Sequence, residues 1–172
     1  MEKQIELFVP GRLCLFGEHT DWAGYHRMIN SDVTEGKAIV TGIDQGIYAR
    51  AKKSDELFIS TLTPDGKRVE FSCEMNLELL KKQAAENNYF SYACGVAAYI
   101  CEHYRTEGVA LYVTDVTLPV KKGLSSSAAF CVLVARAFNR LYKLRLNTIG
   151  EMQAAYRGEC LTKSRCGRLD QA

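Results

Sequence analysis

The sequence lacks an excess of charge of either sign. Its 22 basic and 20 acidic residues leave a net charge of +2 over 172 residues. A run of about five or six like charges, typical of interaction tails, is also missing. Nucleic-acid-binding domains usually carry a basic stripe or patch that such a count reveals. The balance therefore disfavours a nucleic-acid partner, although a small charged pocket for a cofactor stays possible.

The sequence also lacks long apolar runs and recognisable metal-binding cysteine motifs. No run approaches the roughly 18 residues of a membrane-spanning helix, and residues 1–5 lack the apolar core of a signal peptide. The 7 cysteines and 3 histidines show neither Cys-x-x-Cys nor zinc-like spacing. We therefore expect a cytoplasmic protein without membrane association, whose cysteines are reduced and partly packed as small apolar residues.

What the sequence does contain is enough apolar material, 47% of its residues, for one ordinary domain. Strand patterns occur at 5–9, 13–16, 37–43, 47–52, 57–62, 68–72 and 109–118. Helical patterns occur at 77–86, 90–104 and 125–142, and again from Thr148. We expect Gly108 to end the second helix as a C′ glycine, and Thr148 with Glu151 to form a capping box. Strands first and helices later predict an α+β fold.

One segment has the composition of an anion-binding loop. Residues 119–129, PVKKGLSSSAA, join a strand through lysines and a glycine to three serines that open a helix. The first turn of a helix offers unpaired N–H groups and partial positive charge, and glycine lets a phosphate approach closely. The segment is not a Walker A loop. Taken alone, a serine run is more often a plain helix cap.

A second segment gathers polar groups after a strand. Residues 10–22, PGRLCLFGEHTDW, place Glu18, His19, Thr20 and Asp21 directly after a glycine, with Arg12 six residues before Glu18. Such a cluster can hydrogen-bond a polyhydroxyl ligand, and arginine supplies a permanent planar cation. A solvated turn explains the same residues about equally well.

A third candidate pairs two carboxylates near the end of the sequence. Glu159 belongs to the predicted last helix, and Asp170 follows within the string GRLDQ. One could act as a metal ligand and the other as a base near a phosphate. A surface helix ending in a charged turn is the simpler explanation of this segment on its own.

Together the three segments resemble the motifs of the GHMP kinase superfamily, which includes galactokinase, homoserine kinase, mevalonate kinase and phosphomevalonate kinase. Residues 119–129 resemble the phosphate-binding motif P-x-x-x-G-L-S/G-S-S-A, residues 10–22 resemble the first motif in its galactokinase style, and residues 167–171 resemble G-x-M-D-Q. The resemblance implies an α+β fold, that of the family's N-terminal domain, which is ribosomal protein S5 domain 2-like. It also implies transfer of the γ-phosphoryl group of ATP to a hydroxyl of a monosaccharide.

The resemblance implies a role for each matched residue. Asp170 and Arg12 would be catalytic, and Ser127 and Glu159 would bind Mg²⁺. The substrate would be bound by Glu18, His19, Thr20 and Asp21. The triphosphate of ATP would be bound by Lys122, Gly123, Leu124, Ser125, Ser126, Ser127 and Ala128. Whether Lys121 and Lys122 contact phosphate or only solvent stays open.

Departures from the family pattern limit what is implied about the substrate and the chain. Cys14 and Trp22 stand where the galactokinase pattern has asparagine and tyrosine, so the implied substrate is a monosaccharide rather than galactose in particular. The alternatives are a kinase for a non-sugar alcohol such as mevalonate, or a non-catalytic ligand-binding relative. Family members carry a further C-terminal domain. We therefore expect this chain to be an N-terminal part whose site is completed by that domain or by a dimer mate, and to turn over little alone.

Overall fold

The computed structural model describes residues 4–18, 20, 23–63, 65–86, 88–118, 126–164 and 166–172, and only the backbone of Tyr25. Its elements in chain order are β1 Ile5–Phe16, α1 Ala23–Ile29, β2 Ile39–Ser54, β3 Glu56–Leu62, β4 Arg68–Glu74, α2 Leu77–Ala84, α3 Ser91–His103, β5 Gly108–Val116, α4 Ser126–Tyr142, α5 Thr148–Glu159 and a 3-10 helix Arg168–Gln171.

The strands form one sheet in the order β1-β2-β5-β3-β4. Only the β3–β5 pair is parallel among the pairings within the described residues. Buried and exposed positions alternate along β2, where Ile47, Ala49 and Ala51 are buried and Tyr48 and Arg50 are exposed. This period of two turns one face of the sheet toward the helices. The predicted α+β class is confirmed.

The helices pack on that face around α4. Residues 128–135 of α4 are all buried, together with Ala137 and Phe138, so this helix lies at the centre of the core. Helices α3 and α5 cross at two glycines: a Cβ on Gly95 would lie 2.2 Å from the carbonyl oxygen of Gly158. Only hydrogen at these positions lets the two backbones approach so closely.

Four predicted strands merge into two long ones. The segments 5–9 and 13–16 are both part of β1, and 37–43 and 47–52 both contribute to β2. β1 passes through Pro10 and Gly11 with a shift of register between Pro10 and Arg12. It tolerates the proline because β1 is an edge strand, where one side of the backbone needs no ladder partner. Helix α1 was not predicted.

Helix α5 begins at Thr148 as predicted, but two predicted helix caps are wrong. Gly108 does not cap α3 but begins β5, where a Cβ would lie 2.1 Å from the carbonyl oxygen of Glu56. Helix α5 is capped by Asn147, whose side chain accepts from the N–H of Gly150. Glu151 instead accepts hydrogen bonds from the α4 side chains of Arg136 and Asn139. In both cases tertiary contacts, rather than the local sequence, determine where Gly108 and Glu151 lie.

The 7 cysteines are all free thiols. Cys94 and Cys131 are fully buried among apolar side chains. Burial raises the pKa of Cys94 to about 12. Across the described ranges, the helices are too short or too polar to cross a membrane.

Candidate active site

The site forms where β1, β5, α4, α5 and the 3-10 helix meet. The register shift in β1 places Arg12 at this junction. A Cβ on Gly11 would lie 2.3 Å from Cδ2 of Leu118, a residue that is only 3% exposed. The glycine therefore lets the segment that follows β5 pack against β1 beside Arg12. Leu118 and the segment that holds Arg12, far apart in sequence, become neighbours here.

Arg12 is a buried cation held by two carboxylates. Its Nη1 and Nη2 donate to Oε2 and Oε1 of Glu18 at 3.1 and 3.0 Å, and Nη2 also donates to Oδ1 of Asp170 at 2.5 Å. The arginine side chain is 8% exposed, whereas those of Glu18 and Asp170 are 44% and 31% exposed. Burial lowers the pKa of Arg12, but the hydrogen bonds and charges of the two carboxylates outweigh it and leave that pKa raised. The guanidinium is therefore a permanent charge with fixed orientation.

A close turn after β1 positions Glu18. Gly17 has a φ of +83°, a left-handed conformation that glycine adopts without strain. A Cβ there would lie 2.0 Å from the carbonyl oxygen of Lys37. Thr20 closes the turn, because its hydroxyl donates to the carbonyl oxygen of Gly17 at 2.7 Å. In this structure the Thr20 hydroxyl stabilises the turn, and its predicted contact with substrate stays a prediction.

The 3-10 helix positions Asp170. The N–H of Gly167 donates to Oδ2 of Asp170 at 3.2 Å, while Oδ1 faces Arg12. Each carboxylate oxygen therefore has a donor, which fixes the plane of the group. Because the side chain is about one third exposed, a ligand can still reach it.

A second pair of oxygens lies between α4 and α5. Oγ of Ser127 donates to Oε1 of Glu159 at 3.2 Å. Glu159 is 1% exposed and also accepts from Oγ of Ser164 at 3.4 Å and from Nε2 of Gln171 at 2.7 Å. Burial raises the pKa of the Glu159 carboxyl, and the hydrogen bonds from Gln171 and Ser127 reduce that shift without cancelling it.

The Ser127–Glu159 pair fits a magnesium ion that arrives with a phosphate ligand. Mg²⁺ prefers oxygen ligands at about 2.0–2.1 Å in an octahedron, so adjacent ligands lie about 3 Å apart. The two oxygens are separated by 3.2 Å. The described residues contain no group of three or more His, Cys, Asp or Glu side chains suited to a metal ion. An ion here would therefore complete its shell with phosphate and water oxygens, as Mg²⁺ commonly does.

The structure describes only part of the predicted site. It brings together Arg12, Glu18 and Asp170 on one side, and Ser127 with Glu159 on the other. Ser126 and Ala128 lie with Ser127 in the first turn of α4. The remaining predicted residues lie outside the described ones, namely His19, Asp21, Lys122, Gly123, Leu124 and Ser125.

Sequence reasoning missed the residues that hold the two carboxylates of the site. It assigned nothing to Ser164 or Gly167, and it gave Gln171 no role although that residue directly follows Asp170. Their contacts are made by hydroxyl, backbone N–H and amide donors. The one available signal was the Asp-Gln pair itself, since an amide beside a functional carboxylate can donate to another buried acceptor.

A cleft of about 230 Å³ opens beside Arg12 and the 3-10 helix, and Arg12, Asp170 and Gln171 are among the residues that line it. Nε of Arg12 and Oε1 of Gln171 are buried there without a hydrogen-bond partner among the described residues. Buried polar atoms normally find a partner. These two unpaired atoms belong to residues that line the cleft, but both are themselves closed to solvent.

Comparisons with known proteins find similar sequences. Residues 91–172 match the family described as "GHMP kinases N terminal domain". The chain is 28% identical over 151 residues to a galactokinase of Streptococcus thermophilus and 30% identical over 164 residues to that of Pyrococcus furiosus. These alignments cover 87% and 94% of this chain but 35% and 41% of the two galactokinases. The chain thus spans well under half the length of these relatives.

Solved structures show the same fold. Galactokinase of Lactococcus lactis, solved with galactose, matches 98% of this chain and 41% of its own with a TM-score of 0.73 at 22% identity. Mevalonate kinase of Methanococcus jannaschii matches 92% of this chain and 47% of its own with a TM-score of 0.67 at 21% identity. The family match over residues 91–172, the galactokinase relatives and the shared fold together support a galactokinase-like N-terminal domain of the GHMP kinase superfamily.

Proposed function

We propose that this chain carries the ATP- and substrate-binding residues of a kinase that transfers the γ-phosphoryl group of ATP to a hydroxyl of a monosaccharide. The proposal depends mainly on one observation: the 3-10 helix contacts both the acceptor-side residue Arg12 and the Ser127–Glu159 pair. Asp170 contacts Arg12, and the next residue contacts Glu159, which itself bonds Ser127. A phosphoryl acceptor site and a phosphate-and-metal site would then be neighbours, as the reaction requires.

Asp170 and Arg12 would act at the reacting atoms. The attacking hydroxyl oxygen forms a bond to the γ-phosphorus as the bond to the bridging oxygen of ADP breaks, and Asp170 accepts or holds the departing hydroxyl proton. Arg12 keeps Asp170 oriented and places a fixed positive charge where negative charge spreads over the phosphoryl oxygens. The partial exposure of Asp170 supports this assignment, because the carboxylate can meet a substrate.

The phosphates of ATP would be bound at the beginning of α4. Residues 122–128 would supply backbone N–H groups and serine hydroxyls at a helix N-terminus, which favours anions. Ser127 and Glu159 would hold Mg²⁺, which when bound neutralises charge on the phosphate oxygens. Burial raises the pKa of the Glu159 carboxyl, and a cation bound beside it would act in the opposite direction by favouring the ionised form.

Substrate recognition would use the segment after β1. Glu18 is 44% exposed beside Arg12, so it can accept a bond from a sugar hydroxyl while it orients the guanidinium. From their position in the motif, we also assign substrate contacts to His19, Thr20 and Asp21. Identity of about 28–30% to galactokinases over most of this chain supports a sugar as the substrate class.

The test is ADP release by the full-length protein with Mg-ATP over a panel of monosaccharides, mevalonate and homoserine. We expect turnover with at least one sugar and none with the non-sugar alcohols. Asp170→Asn should abolish turnover, because the amide cannot accept the hydroxyl proton. The matched control Asp65→Asn changes an exposed aspartate that lies in the β3–β4 turn, and it should leave the rate unchanged.

Three outcomes would refute parts of this proposal. Turnover only with mevalonate or homoserine would replace the sugar by a non-sugar alcohol. Ligand binding without ADP release from any acceptor would make the protein a non-catalytic relative. Undiminished turnover by Asp170→Asn would remove Asp170 from the mechanism while leaving the kinase activity in place.

A further inference from the structure

The side chain of Gln171 is buried directly beside the two carboxylates of the site. It is 3% exposed, and its Nε2 donates to Oε2 of Glu159 at 2.7 Å. This bond is shorter than those that Ser127 and Ser164 donate to the same carboxylate, at 3.2 and 3.4 Å. Gln171 donates to Oε2, whereas Ser127 and Ser164 both donate to Oε1. The buried thiol of Cys131 is a further hydrogen-bond partner of Glu159.

The division of donors between the two oxygens fixes the orientation of the carboxylate. With Oε2 held by the amide, Oε1 is directed at the hydroxyl of Ser127, 3.2 Å away. Loss of the amide would leave only the hydroxyl donors on Oε1. The terminal torsion of the carboxylate, which is broad by itself, would then be less restricted. The oxygen pair suited to a magnesium ion therefore depends on a residue that does not touch the ion.

The 3-10 helix links this contact to Asp170. A 3-10 helix has about three residues per turn, so successive side chains project about 120° apart. Asp170 consequently reaches Arg12 in β1, while Gln171 reaches Glu159 at the end of α5. The 3-10 helix therefore sets the distance between the Arg12–Asp170 ion pair and the Ser127–Glu159 pair.

An amide is the group suited to this task. It donates a hydrogen bond without adding charge, whereas a lysine would neutralise Glu159 and compete with the metal ion. A second carboxylate would repel the first and would have no proton to donate when ionised. Groups that orient metal ligands in this way commonly change metal affinity by about 10–100-fold when they are replaced.

We propose that Gln171 is a positioning residue that orients Glu159 for metal binding and couples it to Asp170. This inference rests on the kinase function proposed above. Gln171 makes no contact with the reacting atoms. Its effect is on the affinity for the divalent cation, while the chemical step at saturating cation is left largely intact.

The test uses the full-length protein, with Mn²⁺ as the probe. Free Mn²⁺ is measured by electron paramagnetic resonance during titration at a fixed concentration of a non-hydrolysable ATP analogue. Gln171→Met keeps the length and volume of the side chain but removes the donor, and we expect its apparent Kd for Mn²⁺ to rise about tenfold or more. The control Gln153→Met makes the same exchange elsewhere on α5 and should leave that Kd within about twofold of wild type.

Kinetics give a second readout that a merely structural defect would not produce. Where an acceptor substrate has been found, Gln171→Met should raise the Mg²⁺ concentration needed for half-maximal rate while kcat at saturating Mg²⁺ falls by less than about threefold. If Gln171→Met does not fold, Gln171→Asn replaces it, since its shorter amide cannot reach Glu159.

The outcomes separate this inference from the proposed function. Unchanged Mn²⁺ affinity in a folded Gln171 variant of an active kinase overturns the positioning role alone. Absence of Mn²⁺ binding by the wild-type protein with the ATP analogue overturns it as well, since no metal is there to be positioned. Weaker Mn²⁺ binding in the variant supports it even where no acceptor substrate has been identified, because the measurement needs no turnover.

Discussion

Replacing Gly158 by alanine tests whether the crossing of α3 and α5 positions the site. A Cβ at this position would lie 2.4 Å from Cα and 2.5 Å from the backbone nitrogen of Val96. Ordinary van der Waals contacts of a Cβ begin at about 3.4 Å, so the helices would have to separate by about 1 Å. The opposing atoms belong to the backbone and cannot rotate away.

The expected cost follows from these contacts. Overpacking of a core typically costs about 1–3 kcal/mol, and a clash with backbone atoms belongs at the upper end of that range. Alanine returns up to about 1 kcal/mol of helix propensity. We therefore expect Gly158→Ala to lose about 2 kcal/mol of unfolding free energy. For a domain of this size the loss corresponds to a fall in Tm of about 4–8 °C.

The substitution should also weaken metal binding, because Glu159 is the next residue. A displacement of α5 by about 1 Å would take Oε1 of Glu159 beyond hydrogen-bond reach of Ser127, now 3.2 Å away.

Urea unfolding measures the unfolding free energy of the variant, and the Mn²⁺ titration measures its metal affinity. The control is Gly150→Ala on the same helix, whose Cβ would meet only side-chain atoms of Leu146 and Asn147, at 3.2 Å or more. It should stay within about 1 kcal/mol of wild type. Equal stability of the two variants would refute the close crossing.

The remaining predictions concern three other features of the chain. Arg136→Met removes the charged hydrogen bonds to the carboxylate of Glu151 and to the carbonyl oxygen of Phe8. Urea unfolding should show a loss of about 1.5–3 kcal/mol in unfolding free energy. The control Arg140→Met, at an exposed position, should lose less than about 0.5 kcal/mol. Burial raises the pKa of Glu159 in the folded protein. The stability that the protonated carboxyl contributes is therefore fully present below the pKa of the unfolded state, and it is lost as pH rises through the pKa of the folded state. Without metal, Glu159→Gln should therefore gain stability relative to wild type as pH rises, and a constant difference from pH 4 to 8 would contradict this. In thiol labelling of the native protein, the exposed Cys160 should react and the buried Cys94, whose pKa is raised to about 12, should react only on unfolding.

Local patterns in the sequence predicted most elements of the fold. Alternation of apolar residues marked the strands, and helical spacing marked α2 to α5, because these signals come from one element facing one core. The predicted helix caps were wrong where a contact with a residue distant in sequence determined the structure. Gly108 has the position of a helix cap, but the approach of Glu56 places it at the beginning of a strand. Glu151 has the spacing of a capping box, but two side chains of α4 engage its carboxylate.

The sequence by itself determined which chemical groups are present. The serines around the start of α4, the cluster after β1, and the pair Glu159 and Asp170 were all recognisable as motifs, since their spacing along the chain is local. The resemblance to GHMP kinases followed from their order. None of this required knowledge of how the motifs are arranged in space.

Only the tertiary structure decided which of these groups meet. Arg12 and Asp170 are 158 positions apart. Their ion pair forms because α4 packs against both β1 and the 3-10 helix. Ser127 meets Glu159 because α4 and α5 pack side by side, which in turn depends on how closely glycines let α5 cross α3. The role of Gln171 could not be predicted from the sequence, because the function of a buried amide depends on which acceptor it contacts. Such contacts depend on the packing of whole elements, which the spacing of residues along one segment does not encode.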